Sequence, residues 1–233
     1  MTSHEDVFGK FMSNSGAKQS LLAILSICVI AASLTWIYFT QFAAPKINPA
    51  LHKAVGEVMA EETDKLLDHK GQVIILAVGP SAAPELRTQL DSFKEKIRTL
   101  GGVAIKDTIF LDTEDKPKFG AGRGLSARRF LRLMKKNSGA DAIVSFVGAP
   151  NLSEADFGEL EKARLPKFIA ESGSATKLKK LFDKRVLQIA VVHRYQFPAP
   201  NKEHPKSPRD WFDKRFQIVT AENAAALPAS GAE

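Results

Sequence analysis

The densest gathering of groups able to do chemistry is Gly120-Ala121-Gly122-Arg123-Gly124, followed by a helical stretch that carries Arg128, Arg129 and Arg132. Free backbone amides, a helix N-terminus and guanidinium groups together suit a phosphate or another anion. Gly122, Arg123, Gly124 and Arg128 are therefore the candidate anion-binding residues. The run is not a P-loop, because no Gly-Lys-Ser/Thr closes it. Nor is it a dinucleotide fingerprint, since its last glycine falls one place early and Asp112 to Lys118 separates it from the preceding strand. A glycine loop beside a solvated basic helix has the same composition. A second candidate set, Ser81, Asn151 and Arg194, follows three predicted strands and would orient a small polar or anionic ligand. The same residue types also cap helices and close turns.

Catalytic and metal signatures are missing. His4, His52, His69, His193 and His204 show no metal-ligand spacing. His193 ends a predicted strand and would pair with Asp141 or Glu171, but no nucleophile accompanies it and no Gly-x-Ser-x-Gly elbow exists. The only cysteine is Cys28, which leaves no intrachain disulfide and no thiolate metal site. No catalytic residue, metal or cofactor is expected. The net charge of +7 resides mainly after Gly101 and permits attraction to anionic lipid, cell-wall polymer or nucleic acid. Two Trp, two Tyr and no basic–aromatic stripe argue against nucleic acid.

The elements that must position these residues alternate. Asn48-Pro49 reads as N-cap and first helical position, and Leu51, Val55, Val58, Met59, Leu66 and Leu67 recur on one face of the helix that follows. This amphipathic stalk is expected to pack on the domain. Val73 to Val78 is a continuous apolar run closed by Gly79-Pro80, as in a strand buried on both faces. Leu86, Leu90, Phe93, Ile97 and Leu100 mark a helix that Gly101-Gly102 terminates. Val103 to Leu111 is the second strand, and Ser126 to Asn137 a helix with Phe130, Leu133 and Met134 inward. Ala142 to Val147, Lys167 to Ala170 and Leu187 to Val192 are the remaining strands. Ser153-Glu154-Ala155-Asp156 opens one joining helix like a capping box, and Ser174 to Lys184 forms another. Such alternation implies a parallel sheet covered on both faces, in the flavodoxin-like order 2-1-3-4-5. Ser207-Pro208 starts a turn bearing Trp211 and Phe212, and Phe216 to Thr220 adds an edge strand.

Ahead of this domain, Gln19 to Pro45 contains no charged residue, and Trp36, Tyr38, Phe39 and Phe42 gather toward one end. The stretch exceeds the roughly 20 residues needed for a transmembrane helix. A single-pass signal anchor is expected, with the N-terminus cytoplasmic and the domain extracytoplasmic (periplasmic in a Gram-negative cell). The expected organisation is a tail over 1–18, a transmembrane helix over 19–45, the stalk over 46–71, one three-layer α/β domain over 72–222 and a disordered tail over 223–233.

The third strand opens with Gly139-Ala140-Asp141-Ala142-Ile143-Val144, which is similar to a strand-opening run of the N-terminal lobe of type I periplasmic binding proteins, the sugar-binding class. Leu165-Pro166-Lys167-Phe168-Ile169 resembles the next joint and strand of that family. The resemblance covers roughly Gln72 to His193. It implies ligand capture at the strand ends, on one lobe only, because the forty residues after His193 are too few for a second. Two functions fit. One is a membrane-anchored, extracytoplasmic interaction or ligand-sensing module, with the bilayer and a protein or small polar ligand as partners. The other is a membrane-tethered enzyme acting on an anionic or phosphorylated substrate near Arg123. Missing catalytic signatures favour the first.

Overall fold

The computed structural model describes residues 22–38, 48–79, 84–111, 125–160, 165–172, 178–194 and 205–226. The chain divides into two units, Met1–Lys46 and Ile47–Glu233.

In the first unit the described residues form one helix, α1 (22–37), with exposed apolar side chains such as Leu22, Ile24 and Leu34. This corrects the expected membrane span, and with it the single-pass, signal-anchored organisation. Among the described residues no helix is long and apolar enough to cross a membrane. The flanking parts of the expected span, 19–21 and 39–45, lie outside the described residues.

In the second unit, α2 (Pro49–Leu66) is followed by β1 (Gly71–Val78), α3 (Pro84–Leu100), β2 (Val103–Leu111), α4 (Ala127–Lys136) and β3 (Ala142–Ser145). Then come α5 (Glu154–Leu160), β4 (Lys167–Ser172), α6 (Lys179–Asp183), β5 (Ile189–His193), α7 (Pro208–Asp213) and β6 (Phe216–Thr220). The six strands form one sheet in the order β2-β1-β3-β4-β5-β6. The first five are parallel, and β6 runs antiparallel to β5. The sheet is thus mixed rather than parallel throughout, because the return through α7 brings the chain back alongside β5 without a crossover.

Strand alternation sorts the core into two halves. Ile74, Leu76, Ile143, Phe168, Ala170, Ala190 and Val192 face α4, α5 and α6. Val73, Ile75, Ala77, Val144, Ile169 and Val191 face α2, α3 and α7. The chain steps one way from β1 to β2 and the other way from β2 onward. Right-handed crossovers therefore leave α3 alone on its face while α4 to α6 cover the other. One crossover helix cannot cover that face of a six-stranded sheet. The helix expected as a stalk, α2, fills the gap, with Val55, Val58, Met59 and Ala60 all buried, and α7 adds Phe212.

The helix starts follow their local chemistry. Asn48 Oδ1 accepts from Leu51 N at 3.3 Å, with Pro49 at the first helical position. Ser153 N donates to Asp156 Oδ2 at 2.8 Å while Asp156 N donates to Ser153 Oγ at 3.3 Å, the reciprocal pair expected of a capping box. Ser207 and Asp210 repeat it on α7. The helix expected from Ser174 is described only as α6, Lys179–Asp183; residues 173–177 lie outside the described residues.

α2 and α3 approach closely at Gly56. A Cβ there would overlap Gln89 O and Ser92 Oγ and stand 2.9 Å from Phe93 N, so only hydrogen fits. At the amino ends of the strands, Asp141 binds three strands together. Its Oδ2 accepts from Gln72 N at 2.7 Å, its own N–H donates to Gln72 O at 2.9 Å, and its carbonyl accepts from Lys167 N at 3.0 Å. Lys167 Nζ in turn donates to Leu66 O at the end of α2, at 2.7 Å. Both runs that carry the family resemblance meet in this knot, where they serve strand assembly.

Candidate functional site

In an open α/β sheet a ligand crevice forms outside the carboxyl ends of the strands, where the direction of crossover reverses. Here the reversal lies between β1 and β3. Gly79 follows the first of these strands, and the turn from Phe146 to Gly148 follows the second. That turn is built from within. Buried Ser145 donates its hydroxyl to Gly148 O at 2.7 Å and accepts from Val147 N at 3.3 Å, and Gly148 takes φ of 92°, which favours glycine. Phe146 N donates to Leu76 O at 2.8 Å, and the Phe146 ring meets Phe93 edge-on at 5.5 Å. The turn at this strand end is therefore fixed by hydrogen bonds and an aromatic contact.

The residues proposed from sequence separate on this frame. Ser81 lies outside the described residues, as do Gly122, Arg123 and Gly124. Arg128 is exposed on the first turn of α4, and Asn151 is exposed in the segment after β3. Arg194 follows β5 but is engaged with the protein itself. Its Nε donates to Phe216 O at 2.9 Å, its backbone N–H donates to Arg215 O at 2.8 Å, and one terminal nitrogen lies 3.5 Å from Asp213 Oδ1. These contacts pin the β5–β6 pair. Asn151 and Arg194 also leave from strands two places apart, about 10 Å at the usual strand spacing.

His193 does not pair with Asp141, which stands at the opposite ends of the strands. Its ring packs on Phe216, with centroids 4.4 Å apart. Burial lowers its basicity below the ordinary histidine value, and the charges of Arg215 and His52 add to that.

His52 and the α3 residues opposite it are hidden from sequence periodicity. His52 sits in the first turn of α2, and Gln89 Nε2 on α3 approaches its Nδ1 at 3.3 Å. Burial holds the His52 imidazole below its ordinary value, opposed by the Glu85 carboxylate. Gln89 is 3% exposed, yet its Oε1 has no hydrogen-bond partner, and Glu85 Oε2 is likewise out of solvent and unpartnered. Glu85, Gln89 and Phe93 are spaced by four on α3, so one helical row passes from apolar to polar toward the carboxyl edge of the sheet. That change of character along an inward row was the available signal. Among the described residues no group of three or more His, Cys, Asp or Glu side chains could hold a metal ion.

No protein-family model matches the sequence, and a comparison with curated proteins finds no match. Solved structures do resemble it. The arabinose-binding protein AraP of Geobacillus stearothermophilus superposes with a TM-score of 0.51 at 14% identity, covering 76% of this chain and 63% of that one. The sugar-binding protein of a Bacillus halodurans sugar ABC transporter gives 0.52 at 17% identity, over 76% and 64%. An ABC transporter solute-binding protein of Burkholderia graminis C4D1M, in complex with D-arabinose, gives 0.50 at 14% identity, over 76% and 62%. The chain thus spans less than two thirds of the length of each. What it shares with them is the periplasmic-binding-protein type I fold, as the runs at 139–144 and 165–169 implied.

Proposed function

We propose that the unit from Ile47 onward is a ligand-sensing or interaction module that takes a small polar ligand at the carboxyl edge of its sheet. The observation that carries this reading is the reversal of crossover direction between β1 and β3, with the turn after β3 fixed by Ser145, Phe146 and Gly148. The solved structures of the same fold support it, since they are sugar-binding proteins. The buried polar atoms of Glu85 and Gln89, unpartnered beside His52, supply polar groups near that edge.

The test is isothermal titration of the full chain with a panel of neutral pentoses, hexoses and polyols, backed by thermal unfolding. Binding of at least one panel member, with a rise in Tm that follows its concentration, is the expected result. A panel that leaves both heat and Tm unchanged up to about 10 mM, where even a weak site would register, removes the small-ligand reading and leaves protein–protein interaction.

A further inference from the structure

The α2–α3 junction narrows the chemistry of the ligand, and this step rests on the reading just given. Gln89 is almost wholly buried and turns its amide nitrogen toward His52 Nδ1, which leaves Oε1 with nothing to accept from. One turn earlier Glu85 presents a second unpartnered oxygen. Both orphan atoms are acceptors only. His52 cannot satisfy them through Nδ1, because that atom already faces the Gln89 amide. A buried acceptor without a partner carries an unpaid desolvation cost that any donor reaching it relieves.

The Glu85 carboxylate is the charged group that acts on His52, while His193 is acted on by both Arg215 and His52. A hydroxyl brings one donor and no charge. An alkylammonium brings three donors and a full positive charge, which matches two acceptors one helical turn apart with a carboxylate among them. We propose that Glu85 Oε2 and Gln89 Oε1, beside His52 at the α2–α3 junction, form a subsite for a protonated primary amine carried by a small polar ligand. Phe93 continues the same row beneath these residues and would exclude water from below.

Three probes separate the possibilities by titration and thermal unfolding of the full chain at neutral pH. Ethanolamine is the smallest amine with a hydroxyl, and D-glucosamine and D-glucose differ only in the amine. The expected result is that ethanolamine raises Tm and that D-glucosamine binds about tenfold or more tightly than D-glucose. In Glu85→Gln, which keeps the shape and removes the charge, the advantage of the amine should vanish, while circular dichroism and cooperative unfolding stay as in the parent. Equal affinity for D-glucose and D-glucosamine overturns the amine subsite but keeps the small-ligand reading. No response to either amine up to about 10 mM also overturns it and assigns the junction to bound water. An amine response that persists in Glu85→Gln overturns it by placing the amine elsewhere.

Discussion

Replacing Gly56 by alanine sets two calculable effects against each other. Alanine favours a helix interior over glycine by about 1 kcal/mol, so the substitution would stabilise an open helix. At Gly56, however, the new methyl would overlap Gln89 O and Ser92 Oγ and stand 2.9 Å from Phe93 N, below ordinary van der Waals contact. Two of these three atoms belong to the α3 backbone and cannot rotate away. Ser92 Oγ is itself held by Thr88 O at 2.9 Å and Gln89 O at 3.0 Å. The helices must separate, and overpacking of a rigid contact costs about 3 kcal/mol at the upper end of its usual range. The net loss is about 2 kcal/mol, or about 4–8 °C in Tm for a domain of this size.

Gly158 provides the control. It lies within α5, and a Cβ there would meet nothing within 4 Å. Gly158→Ala should therefore keep the propensity gain and raise stability by up to about 1 kcal/mol. Urea titration followed by far-ultraviolet circular dichroism measures both midpoints. If Gly56→Ala is as stable as the parent, or more so, α2 and α3 do not meet as described, and the geometry around His52 and Gln89 falls with that contact.

Two further outcomes follow from individual contacts. Arg194→Ala should lower stability by about 1–2 kcal/mol, since it removes the hydrogen bonds to Phe216 O and Asp213 that hold β6 to β5; any ligand found in the panel should bind it within about twofold of the parent, and a much larger loss would return this guanidinium to the site. Stability should fall as pH is lowered from about 7.5 to about 5. Both His52 and His193 take up protons less readily when folded than unfolded, so in that window the unfolded chain binds more protons. His193→Gln should flatten the dependence of the urea midpoint on pH, and a midpoint that rises toward pH 5 would contradict the assignment.

Much of the fold is legible in the sequence because the strands between β1 and β5 are buried on both faces. A strand buried on both faces is apolar at nearly every position, and Val73–Val78, Ala142–Val147 and Leu187–Val192 read that way, with Ser145 and Gln188 the polar exceptions. Less was legible wherever burial depends on what arrives later in the chain. The apolar stripe of α2 identifies a helix that must pack, but nothing local says that it completes a layer left half covered by the handedness of the crossovers. Arg194 reads as a strand-end ligand until β6 returns beside β5 and offers Phe216 O to its guanidinium. Glu85 and Gln89 read as ordinary polar positions at the start of a helix, because their burial is imposed by the opposing helix through Gly56. The charge-free run before Pro45 carries the composition of a membrane span, yet among the described residues no helix is long and apolar enough to cross a membrane.

The cover supplied jointly by α2 and α7 bears on how the protein is made. These helices stand at opposite ends of the folded unit, about 160 residues apart between Pro49 and Pro208, and they close the same apolar surface over Ile169 and Val191. During synthesis the earlier helix can settle on α3 as soon as both have left the ribosome, while the strands beyond still lack half their lid. That greasy strip stays open to other nascent chains until residues near Phe212 emerge, which makes this side of the sheet the place where holding chaperones would act.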